Sequence, residues 1–155
     1  MRGEQKELEV GATLARSSGR KMRRESADAL LERVLRRVER VNSAESVALG
    51  RERYPLTYFF VDNVRVFGSY LGTEPMIGDL DIAICCGLRS NGMLLTRKTV
   101  ENFGKPQIRE HDHICGYIKA ASPRRVDLAN SETILRHRFP NRLIYTRTSG
   151  RICDI

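Results

Sequence analysis

The stretch Val64–Cys86, VRVFGSYLGTEPMIGDLDIAICC, constrains this chain more than any other. Val64 to Phe67, the end of the apolar run 54–67, is rich in β-branched and aromatic types and predicts a strand. Asp79 to Cys86 predicts a second strand that alternates until both faces turn apolar, as a central strand does. Between them lie Gly68-Ser69 and a nine-residue spacer. Gly68 has no Cβ, so backbone there can approach a ligand closely. Ser69 stands where a short helix can begin, and its hydroxyl and free N–H groups suit a phosphate. Side chains alternate along a strand, so Asp79 and Asp81 share one face, ~6.5–7 Å apart along it. Two carboxylates ~4 Å apart at an effective dielectric of ~20 repel by about 4 kcal/mol, so a close pair needs a cation or a proton between them. Oxygen ligands alone favour a hard ion, here Mg²⁺. Asp-x-Asp by itself also fits any exposed strand end; the combination is the informative feature.

At 155 residues the chain is the size of one domain, and it can bury a core without disulfides or structural metal. Residues 1–24 show no sustained period and carry the basic cluster Arg20, Lys21, Arg23 and Arg24, which reads as a flexible arm ahead of a single domain over 25–155. Ala27, Leu30, Leu31, Val34, Val38 and Val41 recur at helical spacing, with Ser26 as N-cap and Asn42 as stop. Gly87 to Gly92 reads as a loop and 93–103 as a helix. Ile108 to Ala120 and Arg125 to Ala129 read as strands separated by the turn Ala121-Ser122-Pro123, with short strands at Leu143–Thr146 and Arg151–Ile155. This order of elements predicts an α+β fold: a mixed, largely antiparallel sheet with helices packed on one face.

Arginine and lysine number 27 against 19 acids, a formal charge of +8, and 22 of the 27 cations are arginine. The guanidinium fork matches phosphate oxygens, so the skew leans toward a phosphate-bearing partner, although a plain basic surface fits the same count. On the first predicted helix Arg33, Arg36, Arg37 and Arg40 fall on one flank and Asp28, Glu32 and Glu39 on the other. A sorted stripe suits an anionic partner; chance sorting on an exposed face produces it too. No apolar run has the ~18–20 residues of a membrane span, and the N-terminus lacks the apolar stretch of a signal peptide, so the expectation is a soluble, cytoplasmic protein without membrane contact. Cys85, Cys86, Cys115 and Cys153 have no C-x-x-C spacing and are expected as buried, reduced thiols. His111 and His113 would alternate onto one strand face, where zinc is a weak alternative without a cysteine pair.

The order strand, Gly68-Ser69, spacer, apolar-Asp79-apolar-Asp81-apolar resembles the signature of the polymerase beta-like nucleotidyltransferase superfamily. Within it the chain is most similar to the palm of family X DNA polymerases, in the spacer length, in Gly78-Asp79-Leu80-Asp81 and in the basic pair Arg124-Arg125 before an acid. Arg142 to Gly150 loosely resembles the segment that lines the nucleotide sugar there. The resemblance covers 64–150 and is strong only at 64–86 and 124–129. It implies a third carboxylate on a strand beside the first pair. Asp127, between Val126 and Leu128 after a turn, fits best; Glu110 and Asp112 are the rivals, and the choice between Asp127 and Asp112 stays open.

The resemblance implies a magnesium-dependent, nucleotide-binding transferase that moves an NMP from an NTP such as ATP to a hydroxyl acceptor. Asp79, Asp81 and Asp127 would be the catalytic and metal-binding residues for two Mg²⁺ ions, and Gly68 and Ser69 the nucleotide-binding residues. Tyr70-Leu71-Gly72-Thr73 follows Gly-Ser where those polymerases carry triphosphate-binding arginines, and the chain has no room for further DNA-gripping domains, so templated synthesis is not expected. The expected acceptor is a nucleic-acid end contacted by Arg33, Arg36, Arg37 and Arg40 and by the basic arm with Arg20, Lys21, Arg23 and Arg24. The alternatives are a protein acceptor, as in an AMPylating or toxin–antitoxin partner enzyme, and a non-catalytic nucleic-acid-binding module.

Overall fold

The computed structural model describes residues 21–43, 57–90, 93–95 and 105–152. The protein is α+β. A short strand, β1 (Met22–Arg23), leads directly into helix α1 (Arg24–Asn42). The long strand β2 (Thr57–Phe67) passes through a 3-10 turn at Gly68–Leu71 to β3 (Met76–Ile77), and then to the long strand β4 (Leu80–Ser90). After β5 (Met93–Leu95) come helix α2 (Lys105–Lys119), strand β6 (Val126–Asn130), helix α3 (Ser131–Arg136), and strands β7 (Asn141–Thr146) and β8 (Gly150–Arg151).

The larger sheet runs β5-β4-β2-β7-β8, and β6 shares with β5 the outer edge of β4. Its pairs are antiparallel except one: β6 lies parallel to β4, with Leu80 opposite Val126 and Ile84 opposite Asn130. A parallel neighbour needs a crossover connection, and α2 is that crossover. Separately, β1 and β3 form a two-stranded ribbon.

The alternation of β4 splits the molecule into two faces. Leu80, Ile82 and Ile84 join the main core with Leu31, Val34, Leu35 and Val38 of α1 and Ile114 and Ile118 of α2. Ala83 instead joins Phe67 and Ile134 in a smaller cluster under α3. Two helices therefore cover one face, and a short third one covers part of the other, the face to which Asp81 also belongs.

Three local expectations change. The segment Ile108–Ala120 is not a strand: 105–119 is helical, with Ile114 and Ile118 buried one turn apart and Asp112, His113 and Gly116 exposed. Apolar residues at i and i+4 outweigh the local alternation of IREHDHI. Gly87 to Ser90 is strand and not loop: it pairs with Thr57–Phe60 of β2, and at Gly87 the Phe60 ring opposite occupies the space of a side chain. Met93–Leu95 is strand and not helix, and 96–104 lie outside the described residues. In addition, α1 begins two residues before Ser26, and Arg23 at its N-cap makes no side-chain capping bond. Of the expected arm, 1–20 lie outside the described residues, while Met22 and Arg23 pair with Ile77 and Met76.

Gly116 is exposed in mid-helix, and a Cβ there would meet nothing within 4 Å. Gly116→Ala should therefore raise stability by ~0.5–1 kcal/mol, read as a higher urea midpoint at unchanged slope. A lower midpoint would mean that this turn of α2 is not helical in solution.

Candidate active site

Gly68, the residue after β2, has φ 67°, the left-handed region that glycine enters without a steric cost. The reason for glycine is double, because a Cβ at this position would overlap Asp81 Oδ2 and lie 3.0 Å from Asp81 Cγ. The Asp81 carboxylate thus rests against bare backbone at the start of the 3-10 turn. Ser69 next to it accepts a hydrogen bond through Oγ from Gly78 N–H at 3.3 Å, joining the two ends of the spacer just before Asp79.

The spacer is held by α1. Arg24 donates from Nη1 to Tyr70 O at 3.0 Å, from Nη2 to Gly72 O at 2.7 Å and from Nε to Glu74 O at 3.1 Å, and its guanidinium sits 5.6 Å from the Tyr70 ring centre. One turn further, Asp28 accepts from Tyr70 Oη at 2.6 Å. Burial, followed by this bond, pushes the Tyr70 phenol up to about 12, so it stays a donor across the useful pH range. Sequence reasoning placed Arg24 in a flexible arm; its spacing of four from Asp28 on one helix was the available signal. Arg24→Met should cost ~1–3 kcal/mol of stability and loosen the spacer, lowering any activity that depends on Gly68-Ser69. A thermal scan with a chymotrypsin digestion series checks this: cleavage after Tyr70 or Leu71 should accelerate in the variant.

The aspartates meet at one end of the sheet. Asp81 of β4 is the direct register partner of Asp127 of β6, and Asp79, 6 % exposed, stands one residue before β4. By alternation Asp81 and Asp127 both face away from the main core, because Leu80, Ile82, Val126 and Leu128 face into it. Burial first, then the charges of Asp127 and Asp79, push the Asp81 carboxyl up to about 7. Lys119, at the end of α2, places Nζ 3.8 Å from Asp127 Oδ1 and supplies a countercharge that the sequence reading missed. Arg65 of β2 lies on the same sheet face, two residues from Phe67, which pairs with Asp81; its Nη1 donates to Asn141 Oδ1 at 2.8 Å, and its buried Nε has no partner among the described residues. Counting back by two from Phe67 was the signal that could have found it.

The other expected site residues disperse. Asp112 is exposed on α2 beside His111, and Glu110 has only its helical backbone described. His111 and His113 do not share a face, being two residues apart on a helix; His111 contacts Cys115 Sγ at 3.8 Å. Cys85, Cys86 and Cys115 are in no disulfide and are half-buried rather than buried, and Cys153 lies outside the described residues. The arginine stripe is divided. Arg36 pairs with Glu32 at 2.9 Å, and Arg37 donates to Tyr117 O at 2.7 Å while lying 4.7 Å from that ring. Arg33 and Arg40 remain exposed. The acidic flank of α1 anchors β8, because Glu32 and Glu39 together grip Arg151.

Three carboxylates supply hard oxygen donors only, and their mutual repulsion at Asp81 is what a divalent cation would relieve. Among the described residues no three His, Cys, Asp or Glu side chains already converge as ligands, and Lys119 stands beside Asp127. Also among the described residues, no helix is long and apolar enough to cross a membrane. No known protein family, curated protein or solved structure matches the chain.

Proposed function

We propose that the protein is a magnesium-dependent nucleotidyltransferase of the polymerase beta-like kind, moving an NMP from an NTP to a hydroxyl acceptor. One observation carries the reading: Asp81 lies directly beside Asp127 on parallel strands while its carboxylate rests on the bare backbone of Gly68. The residues that the resemblance assigns to metal and to nucleotide are thereby neighbours in space, although 46 positions separate Asp81 from Asp127 in the chain.

Asp79 and Asp81 are suited to hold one Mg²⁺, and Asp81 with Asp127 a second. When bound, two such ions neutralise the triphosphate and lower the pKa of the acceptor hydroxyl. The chain's own residues do the rest. Ser69 Oγ, which accepts from Gly78 N–H, keeps its own proton to donate to a phosphate oxygen. Arg24 and Asp28 keep the spacer in place, so the Gly68-Ser69 backbone meets the nucleotide already shaped. Asp127 takes the proton of the acceptor hydroxyl as its oxygen attacks the α-phosphorus. The bond from that phosphorus to the bridging oxygen breaks, and pyrophosphate leaves.

The test is incubation with each α-labelled NTP and Mg²⁺ in the presence of oligonucleotides, total RNA or lysate protein. Label should appear in one acceptor class with equimolar pyrophosphate. No pyrophosphate and no labelled product with any NTP overturns the reading, and label in protein alone moves the acceptor to the protein class.

A further inference from the structure

On the side of the molecule where α1 begins, β1, α1, β3 and the turn before β6 enclose an open cleft of about 470 Å³. Its polar lining is Lys21, Arg23, Arg33, Arg125, Ser26 and Ser122, four cations and two hydroxyls without one acid. Lys21, Arg23 and Arg33 belong to the basic cluster and the helix flank visible in the sequence, and the fold adds Arg125 and Ser122 from far along the chain. Among the described residues, no hydrogen bond or ion pair engages the side chains of Lys21, Arg23 or Arg33. Cations gathered around one hollow repel each other, and an anion in the hollow relieves that repulsion.

We infer that this cleft binds the phosphodiester backbone of a single-stranded nucleic acid. Three features favour a chain over a small anion. The cations do not stop at the cleft: Arg33 and Arg40 are both exposed on the same flank of α1, seven residues or ~10 Å apart, so a charged track continues outward. The cleft also contains an apolar surface, Met76, 40 % exposed, on which a flat base can lie beside its phosphate. Arginine outnumbers lysine three to one in the lining, and its fork suits phosphate oxygens.

The position relates the cleft to the aspartates without merging the two. Arg125 directly precedes β6, two residues before Asp127, and its carbonyl accepts from Leu80 N–H, between Asp79 and Asp81, at 2.7 Å. The cleft therefore flanks the end of the sheet where β4 and β6 begin. That the bound strand is also the acceptor rests on the nucleotidyl-transfer reading; that it binds does not.

The experiment measures anisotropy of a labelled 20-nucleotide single strand with the full chain across a salt series. If ~3–4 phosphates are engaged, log affinity should fall with log salt at about −2 to −3. Lys21→Gln/Arg23→Gln/Arg33→Gln, all exposed positions, should flatten the slope by ~2 and weaken binding at least ~10-fold at 50 mM salt. Arg33→Glu alone should weaken it further than Arg33→Gln. An unchanged slope in the triple variant overturns the inference. Displacement by equimolar inorganic pyrophosphate overturns it in favour of a small-anion site, and equal affinity for poly-glutamate overturns it in favour of an acidic peptide. Strand binding without any transfer activity would leave the cleft standing and remove the enzymatic reading, and transfer without strand binding would do the reverse.

Discussion

Asp81→Asn should lower pyrophosphate release by ~10²–10⁴-fold under saturating Mg²⁺ and NTP, and in the same protein should raise stability in the absence of metal. The first effect follows from the proposed nucleotidyl transfer, in which several kcal/mol of transition-state charge stabilisation would depend on Asp81 as a metal ligand, each ~1.4 kcal/mol being tenfold in rate. The second follows from linkage. The Asp81 carboxyl is raised from 3.8 to about 7, by burial first and then by Asp127 and Asp79. Between these values the folded protein holds a proton that the unfolded chain has released, so the wild type loses stability as pH rises toward 7, and the loss is complete above it. Asparagine carries no such charge. The gain of the variant should be absent below pH 4, grow through pH 4–7 and level off above, when urea midpoints are measured in chelator at pH 4, 6 and 8. On the proposed metal-dependent reading, magnesium should reverse the order at pH 8, because an ion bound to the wild type alone stabilises it by mass action. A variant with near wild-type turnover removes the metal assignment, and a gain independent of pH removes the carboxylate cluster.

Gly68→Ala should remove transfer while the protein still folds. The left-handed backbone costs an alanine ~1–2 kcal/mol. The new Cβ must in addition displace the Asp81 carboxylate, and a misplacement of ~1 Å at a reacting centre costs on the order of 10²-fold in rate. The two contributions separate in a double-mutant cycle with Asp81→Ala. In that background the overlap with the carboxylate is gone and the backbone strain and a tight 3.3 Å approach to the remaining Cβ are left, so the stability cost of Gly68→Ala should shrink by ~0.5–3 kcal/mol. Equal costs in both backgrounds would show that Gly68 and Asp81 are not in contact.

Much of this site could be read along the chain. The segment 64–86 contains its own instructions: two apolar strand patterns, a glycine where backbone meets carboxylate, and Asp81 at strand alternation, while Asp79, expected on the same strand, stands in a bend one residue before it. Those features act over a few residues, and local sterics with a period of two are enough to predict them. The helix 24–42 was legible for the same reason, its apolar positions recurring at 3.6. The segment 105–119 was not. His111, Asp112 and His113 read locally as an alternating strand, and only Ile114 and Ile118 packing against α1 and the sheet decide for a helix. Its exposed Gly116, a weak helix former, sharpened the ambiguity.

That one element settled what the sequence could not. Read as a strand, 108–120 would form a hairpin with β6, and Asp127 would point wherever that hairpin docked. Because it is a helix, it serves as a crossover, and β6 returns parallel to β4 with Asp127 beside Asp81. The meeting of Asp81 and Asp127, the staple of Arg24 on the spacer and the basic cleft beside them all join residues tens of positions apart. By itself the sequence determined the turn at Gly68-Ser69 and the strand alternation of Asp81, since neighbouring residues impose these on each other. Tertiary structure alone decided which distant groups come to face them, because burial of the Ile114 and Ile118 face, a long-range energy, selected the direction in which the chain came back.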